Sequence, residues 1–298
     1  MKLVTHHLQA SDSQKRQIIN WRENDLGDSL FYSCRSTAYD RTNYPSSLHF
    51  HEYYELVFFV QGDIRYICES NVYFPKPGDI LLIPPGKFHM SMLNGDATLY
   101  RRHVFYLYPD AFDSYGCGAL AGFLNYAKDG LWFVSPEAHI SEQMHSLLLQ
   151  LDSALLPQQP LEQALAQSCL LRLFYLLNRL PSQTPPPQQY IPEKVRLIQQ
   201  YLDDHFSDIQ SVEQVAAHFF YSREYLSRLF KSYFNTTVTD YLRKRRIVKS
   251  QALIRDGLPL GEICHMVGFD NLSTFIRTFR MITGMTPSQY RSSVIDRQ

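Results

Sequence analysis

The chain has 298 residues, of which 45% are hydrophobic and 19% charged. This composition is typical of globular proteins and excludes disordered and fibrous classes. Its charges cancel overall, yet residues 1–189 contain 14 basic against 18 acidic residues (net −4) and residues 190–298 contain 15 against 11 (net +4). The basic half is where an electrostatic footprint for DNA is expected.

The sequence also argues against several locations and scaffolds. No apolar run reaches the roughly 18 residues of a membrane span, and the N-terminus lacks the apolar segment of a secretory signal. The five cysteines are never spaced C-x-x-C, which disfavours a disulfide framework or a zinc ribbon. We therefore expect a cytoplasmic protein of about two domains that does not contact a membrane.

Short strands are predicted from about residue 31 to residue 108. Segments 56–60, 64–68 and 80–83 are rich in β-branched and aromatic residues, and turns that contain glycine separate them. Strands at this spacing are typical of a sandwich or barrel. We therefore predict a β-sandwich or β-barrel domain over residues 1–138.

Histidine and glutamate cluster at two points of this region. In His-x-His-x-x-x-Glu, alternation along a strand would place His49, His51 and Glu55 on one face, and His89 follows a later turn. These segments are similar to the two motifs of cupin barrels. Three imidazoles and a carboxylate suit Mn, Fe, Ni or Zn, and the mouth of a barrel also suits a small organic ligand.

Helical periodicity replaces the strands after residue 139. Leucines recur at three- and four-residue steps over residues 147–155 and 161–180, so each set lies on one helical face. A break with two prolines at residues 156–160 makes this a helical hairpin, predicted over residues 139–180. The apolar surface of this hairpin is larger than a single barrel would need to cover. Residues 181–191, rich in Pro and Gln, are predicted to form an interdomain linker.

A helix-turn-helix is predicted at residues 212–230. Ala216 supplies the small residue needed where the two helices cross, and Ser222 can cap the second helix. With Leu226 and Phe230 turned inward, the opposite face mixes base-reading and phosphate-binding side chains, as a recognition helix requires. The DNA-contacting residues predicted here are Ser222, Arg223, Glu224, Ser227, Arg228 and Lys231.

The same design recurs about 48 residues later. Cys264 stands where Ala216 stood, and Asp270 is the predicted cap of the next helix. The predicted inner stripe of that helix is Leu272, Phe275, Ile276 and Phe279. The outward residues, predicted to contact DNA, are Asn271, Ser273, Thr274, Arg277 and Arg280.

One long helix carrying five basic side chains is predicted over residues 240–256, between the two units. A rigid helix there would fix the recognition helices relative to each other. Successive major grooves on one face of B-DNA lie about 34 Å apart, so one monomer could read both. The alternative is an ordinary helical bundle whose arginines form a solvated face.

Segments 261–271, 275–280 and 283–291 resemble the signature of the AraC/XylS family of transcriptional regulators. The resemblance is close over residues 193–292 and looser in the barrel. Asn235 stands where the family usually has glycine, and asparagine tolerates the left-handed conformation that the turn needs. Ser250 and Cys264 replace alanines and are small enough to preserve packing.

This resemblance implies the architecture and the partners. It implies an α+β multidomain bacterial protein with a cupin-like sensor over residues 1–138, a dimerisation hairpin over 139–180, a linker over 181–191 and a double helix-turn-helix domain over 192–298. Its partners would be double-stranded promoter DNA, a small effector such as a sugar, RNA polymerase and a second copy. It would act as an activator without catalytic residues or cofactor.

The resemblance also bears on the histidine cluster. Sensors of this family often retain His-x-His-x-x-x-Glu while their effectors are organic molecules, so we expect an effector pocket bordered by His49, His51, Tyr53, Glu55 and His89. A divalent metal at His49, His51, Glu55 and His89 is the alternative occupant. A metal-dependent cupin enzyme with an accessory DNA-binding domain is the rival function, which turnover after metal loading would reveal.

Overall fold

The computed structural model describes residues 18–25, 30–40, 42, 44, 47–108, 112, 118–155, 160–185, 187 and 189–295. The predicted absence of a leader concerns residues outside this set, and so does most of the predicted break between the hairpin helices. Within the set, none of the helices is both long and apolar enough to cross a lipid bilayer.

Two antiparallel sheets form the N-terminal part, which confirms the β-rich sensor. The larger sheet has the order β1 (Ile18–Asp25), β2 (Leu30–Asp40), β8 (Ala97–Leu107), β3 (Tyr54–Gln61), β6 (Ile80–Ile83) and β9 (Trp132–Val134). The smaller has the order β10 (Gln189–Tyr190), β5 (Asn71–Tyr73), β4 (Ile64–Cys68) and β7 (His89–Leu93). Strands β4 and β6 occupy the residues predicted for them.

Each face of the larger sheet packs into a different core because side chains alternate along a strand. On β8, Tyr100 and Val104 are buried between the two sheets, together with Tyr66 of β4. Phe105 and Leu107 belong to the core on the opposite face, beneath the helices. The core between the sheets therefore contains both aliphatic and aromatic side chains.

The helical pair is present as α1 (Ala138–Ala154) and α2 (Pro160–Leu177). Leu147, Leu151, Leu170 and Leu173 are buried in the core that they share with the larger sheet. A 3₁₀ segment, Gly118–Ala127, also packs on α2. Several apolar side chains of the pair stay exposed, namely Leu149, Leu161, Leu165, Leu171 and Tyr175.

The segment predicted as a linker lies along the sensor. The Trp132 indole nitrogen donates to the Pro181 carbonyl at 3.0 Å, and the Phe133 amide donates to Thr184 Oγ1 at 3.2 Å. After the prolines, β10 pairs with β5 at the edge of the smaller sheet. The predicted linker therefore ends in an edge strand of the sensor.

Within the described residues, the C-terminal part contains seven helices. In order, they are α3 (Glu193–Asp204), α4 (Val212–His218), α5 (Arg223–Phe234), α6 (Val238–Arg255), α7 (Leu260–Met266), α8 (Leu272–Thr283) and α9 (Pro287–Ile295). The long helix predicted at 240–256 is α6. Its first half contributes Tyr241 to the core around α4 and α5, and its second half contributes Ile247 and Ile254 to the core around α7 and α8.

Candidate DNA-binding and effector sites

Two helix-turn-helix units begin their turns with the same backbone hydrogen bond. In the first, the Tyr221 amide donates to the Ala216 carbonyl, and in the second the Phe269 amide donates to the Cys264 carbonyl, both at 2.9 Å. Ala216 and Cys264 are both buried where the helices cross, as the sequence predicted. The units are therefore structural repeats.

The caps of the recognition helices correct one prediction. Ser222 caps α5 as expected, since its Oγ accepts the Tyr225 amide at 3.2 Å. The cap of α8 is Asn271 and not Asp270, because Asn271 Oδ1 accepts the Thr274 amide at 2.8 Å. The second turn is one residue longer than the first, so the two helices correspond at an offset of 49 residues and not 48.

This offset explains a second correction. Leu272, predicted to face inward, is 42% exposed, because at an offset of 49 it corresponds to the exposed Arg223 and not to a core residue. The inner face of α8 consists instead of Phe275, Thr278 and Phe279, all buried.

The outward faces of both recognition helices carry the predicted polar residues. Arg277 corresponds to Arg228 and Arg280 to Lys231, and all four are exposed. Arg223, Glu224, Asn271 and Ser273 are also exposed, whereas Ser227 and Thr274 are half-buried. Each helix therefore presents two cations at equivalent places.

Both recognition helices end in a left-handed residue. Asn235 has φ 48° and Gly284 has φ 81°, and their amides donate to the carbonyls of Lys231 and Arg280, each at 2.9 Å. Asparagine thus adopts the conformation predicted for it.

In the sensor, the structure brings together the four residues of the predicted cluster. Glu55 Oε2 lies 3.0 Å from His51 Nε2 and 3.3 Å from His89 Nε2, and the His49 ring is 4.3 Å from the His89 ring. Tyr53 stacks on His51 at 4.2 Å. His49 and His51 precede β3 and do not lie on it. His49 instead pairs through two backbone hydrogen bonds with His89.

The donor set fits a divalent transition metal. Each Nδ1 lies beside a backbone carbonyl, at 2.9 Å from Ser47 for His49, 2.7 Å from Tyr53 for His51 and 3.0 Å from Lys87 for His89. Anchoring of this kind orients the Nε2 atoms and is usual for ligating histidines. Ligand atoms of His49, Glu55 and His89 all lie within 4.8 Å of one another.

The pKa shifts in the cluster favour an ionised Glu55 carboxylate beside a neutral His49 imidazole. Burial would raise the pKa of Glu55, but hydrogen bonds from His51 and His89 outweigh it and hold that pKa well below its usual value. Displacement of water by neighbouring groups, with His89 beside it, lowers the pKa of His49 to about 4. Glu55 is therefore ionised and His49 neutral at pH 7.

Comparison with known proteins covers both parts of the chain. Residues 215–293 match the Helix-turn-helix domain family and residues 31–174 match the AraC-like ligand binding domain family. The arabinose operon regulatory protein of Salmonella typhimurium is 30% identical over 223 residues, which is 73% of this chain and 75% of that protein. The chain belongs to the AraC family.

Other proteins to which this chain is similar cover different shares of it. The arabinose operon regulatory protein of Escherichia coli is 28% identical, covering 73% of each chain. The raffinose operon transcriptional regulatory protein RafR of Pediococcus pentosaceus is 30% identical over 47% of this chain and 51% of that protein. Among solved structures, the C-terminal domain of AraT from Geobacillus stearothermophilus is 33% identical over 35% of this chain and 88% of that one, with a TM-score of 0.34.

This AraC-family chain is thus a DNA-binding transcriptional regulator with a ligand-binding domain. The matched relatives are transcriptional regulators.

Sequence reasoning missed how the basic helix α6 is used. Lys244 Nζ donates to the Leu48 carbonyl at 2.7 Å, and Arg246 Nε donates to the Phe206 carbonyl at 2.8 Å. Arg245 pairs with Asp203 and lies 3.4 Å from Glu69 of the sensor. Four of the five predicted cations therefore bond within the protein, since the exposed Arg243 also pairs with Asp240 at 3.3 Å, and Lys249 is exposed.

The sensor also touches equivalent positions of the two DNA-binding repeats. Tyr241 and Tyr290 correspond at the same offset of 49 residues. Phe88 packs on the Tyr241 ring at 5.0 Å, and Glu52 accepts hydrogen bonds from the Tyr290 hydroxyl and, at 3.1 Å, from Arg255. A pairing between residues 52 and 290 has no signal in local periodicity, so sequence patterns could not reveal it.

Segment 48–52 joins the histidine cluster to the DNA-binding part. Its odd residues, His49 and His51, belong to the cluster, whereas its even residues face the helices. Leu48 is buried with the first repeat, Phe50 packs against the cores of both repeats, and Glu52 bonds to α6 and α9. In an extended chain, neighbouring side chains point to opposite sides, so this one segment touches both sites.

Proposed function

We propose that this regulator reads two successive major grooves of promoter DNA, one with α5 and one with α8. The observation that carries the proposal is the repeated turn and the shared helix α6, packed into the cores of both units. The residues assigned to DNA contact are Ser222, Arg223, Glu224, Ser227, Arg228, Lys231, Asn271, Ser273, Thr274, Arg277 and Arg280. Ser222 and Asn271 also cap their helices, so their side-chain oxygens are partly committed.

The effector site is assigned to the sensor barrel, bordered by His49, His51, Tyr53, Glu55 and His89. Relatives named for arabinose and raffinose operons support a sugar or related metabolite as the effector. A divalent metal at His49, His51, Glu55 and His89 is the competing occupant. Elemental analysis of purified protein distinguishes them, because one metal ion per chain would replace the effector assignment at these residues.

Effector binding controls DNA binding through segment 48–52. In the clamped state segment 48–52 holds the DNA-binding part, and in the released state it does not. An effector that favours one arrangement of the histidine cluster shifts this equilibrium by the difference in its affinity for the two states. The contacts of Phe50 and Glu52 with both repeats support this route.

Dimerisation is assigned to the helical pair. On α2, the exposed residues Leu161, Leu165, Leu171 and Tyr175 fall within about 120° of the helix circumference at 100° per residue. An exposed apolar stripe of this kind is typical of an interface, and a second copy would cover it with its own α2.

Since the target is chromosomal DNA, the dimer would act in the bacterial cytoplasm, without catalysis, and activate transcription by contacting RNA polymerase.

A gel-shift titration on the DNA upstream of the chain's own gene, with arabinose, raffinose or no sugar, tests the proposal. Saturable binding that survives competitor DNA is expected, and a change with one sugar would assign that sugar as the effector. Binding no tighter than to unrelated DNA would remove the regulator assignment for that promoter, and affinity unaffected by either sugar would remove the assignment of those sugars.

A further inference from the structure

The side chain of Arg102 points toward the core between the two sheets of the sensor. On β8, Tyr100 and Val104 are buried there, so Arg102, between them in the alternation, faces the same way. The guanidinium carbon of Arg102 lies 4.3 Å above the centroid of the Tyr100 ring. The neighbouring Arg101, on the opposite face of the strand, is exposed.

The charge of Arg102 lacks a hydrogen-bonded counter-ion among the described residues. Its Nε atom is buried without an acceptor. The carboxylate of Glu55, in the same barrel, accepts instead from His51 and His89. A guanidinium stays protonated in proteins. Burial lowers the pKa of Arg102, but attraction to Tyr100, Tyr66 and Glu55 outweighs it, although none of them accepts a hydrogen bond from Nε. Such a group in a native structure calls for a partner that the chain itself does not supply.

Hydroxyl groups and aromatic rings surround this cation. Tyr44 donates to Ser91 Oγ at 2.6 Å, and the hydroxyls of Tyr66 and Tyr100 bond to each other. The Arg102 side chain keeps part of its surface accessible although Nε is covered, so solvent-sized molecules reach it. The surroundings suit a small molecule with one anionic group and a polar, partly apolar skeleton.

We propose that Arg102 binds a carboxylate of the effector, so that the sugar or related metabolite assigned to the barrel is one that bears an acidic group. The inference rests on the proposed effector-binding function of the barrel. A guanidinium matches a carboxylate in a two-bond fork. One permanent cation balances a single negative charge, whereas a phosphate monoester would bring about −1.5 to −2.

Thermal unfolding of the full chain with acetate or acetamide tests the carboxylate alone, since the two probes differ little except in charge. At constant ionic strength, acetate is expected to raise the Tm of the wild type and of the control Arg101→Gln, and acetamide is not. In Arg102→Gln the acetate response is lost, and ligand-observed NMR gives an acetate dissociation constant raised by roughly tenfold or more.

Several results would overturn the inference. Equal responses to acetate and acetamide, or an acetate response retained in Arg102→Gln, would show that Arg102 does not recognise a carboxylate. A stronger response to inorganic phosphate than to acetate would replace the carboxylate with a phosphate. If these failures occur while gel-shift binding to DNA is intact, only this inference falls and the regulator assignment stands.

A second variant separates ligand binding from a structural role. Arg102→Met replaces the unpartnered cation with an apolar chain of similar length, so the Tm without added anion is expected to equal or exceed that of the wild type. A clearly lower Tm would mean that Arg102 stabilises the barrel itself, which contradicts a site kept for a ligand.

Discussion

The two helix-turn-helix turns use different residues, Phe220 and Gly268, at the position with a left-handed backbone. Phe220 has φ 56° and is 96% exposed, whereas the corresponding residue, Gly268, has φ 84°. A Cβ atom on Gly268 would lie 2.3 Å from the Ser207 carbonyl oxygen. Both positions therefore need a left-handed backbone, but only Gly268 is also confined by the backbone of another segment, at Ser207.

Substitutions at these two positions should have opposite effects on the free energy of unfolding. Phe220→Gly is expected to raise the free energy of unfolding by about 0.5–1 kcal/mol, because relief of left-handed strain exceeds the entropy cost of glycine. Gly268→Ala is expected to lower it by about 2–4 kcal/mol through strain and overlap with Ser207. Urea denaturation measures both, and a destabilised Phe220→Gly would show that the exposed ring has a partner.

Among the elements, segment 48–52 and its contacts with α6 and α9 form the clamp between sensor and DNA-binding part. Glu52→Ala removes the acceptor for Arg255 and Tyr290. If this contact restrains the DNA-binding part, DNA affinity without effector should rise roughly fivefold, at the lower end of typical coupling energies.

A matched control for that variant is Glu142→Ala, which removes an exposed carboxylate on α1. Fluorescence anisotropy with labelled promoter DNA measures both variants at one salt concentration. Equal affinities for Glu52→Ala and wild type would mean that the clamp does not regulate DNA binding.

Elements were predictable where the signal is local. Strand β4, strand β6, helix α6 and the cap at Ser222 follow from residue types and spacing. The cap at Asn271 did not, because a one-residue insertion in the second turn leaves two adjacent side chains able to cap. The edge strand β10 and the bonds of Lys244 and Arg245 depend on tertiary contacts, for which the sequence has no periodic signal.

At the scale of the whole molecule, the exposed stripe on α2 predicts a dimer. Leu161 is 78% exposed, and covering it with a second copy would contribute about 1.5–3 kcal/mol. Leu161→Glu should therefore raise the dimer dissociation constant tenfold or more, whereas Gln167→Glu, exposed on the same helix, should change it little.

Light scattering coupled to size exclusion measures the oligomeric state of both variants. Wild-type protein that elutes as a monomer at micromolar concentration, with and without DNA, would contradict the dimer. The hairpin would then pack only on its own barrel.

The central claim is that α5 and α8 of one chain read two neighbouring major grooves. Hydroxyl-radical footprinting of the upstream DNA with wild type, Arg223→Ala and Arg277→Ala tests it directly, with Arg101→Ala, exposed on β8, as control. Wild type and control should protect paired segments about 10 base pairs apart, and each variant should weaken a different member of the pair. If both variants weaken the same segment, or neither weakens any, the two helices do not read separate grooves.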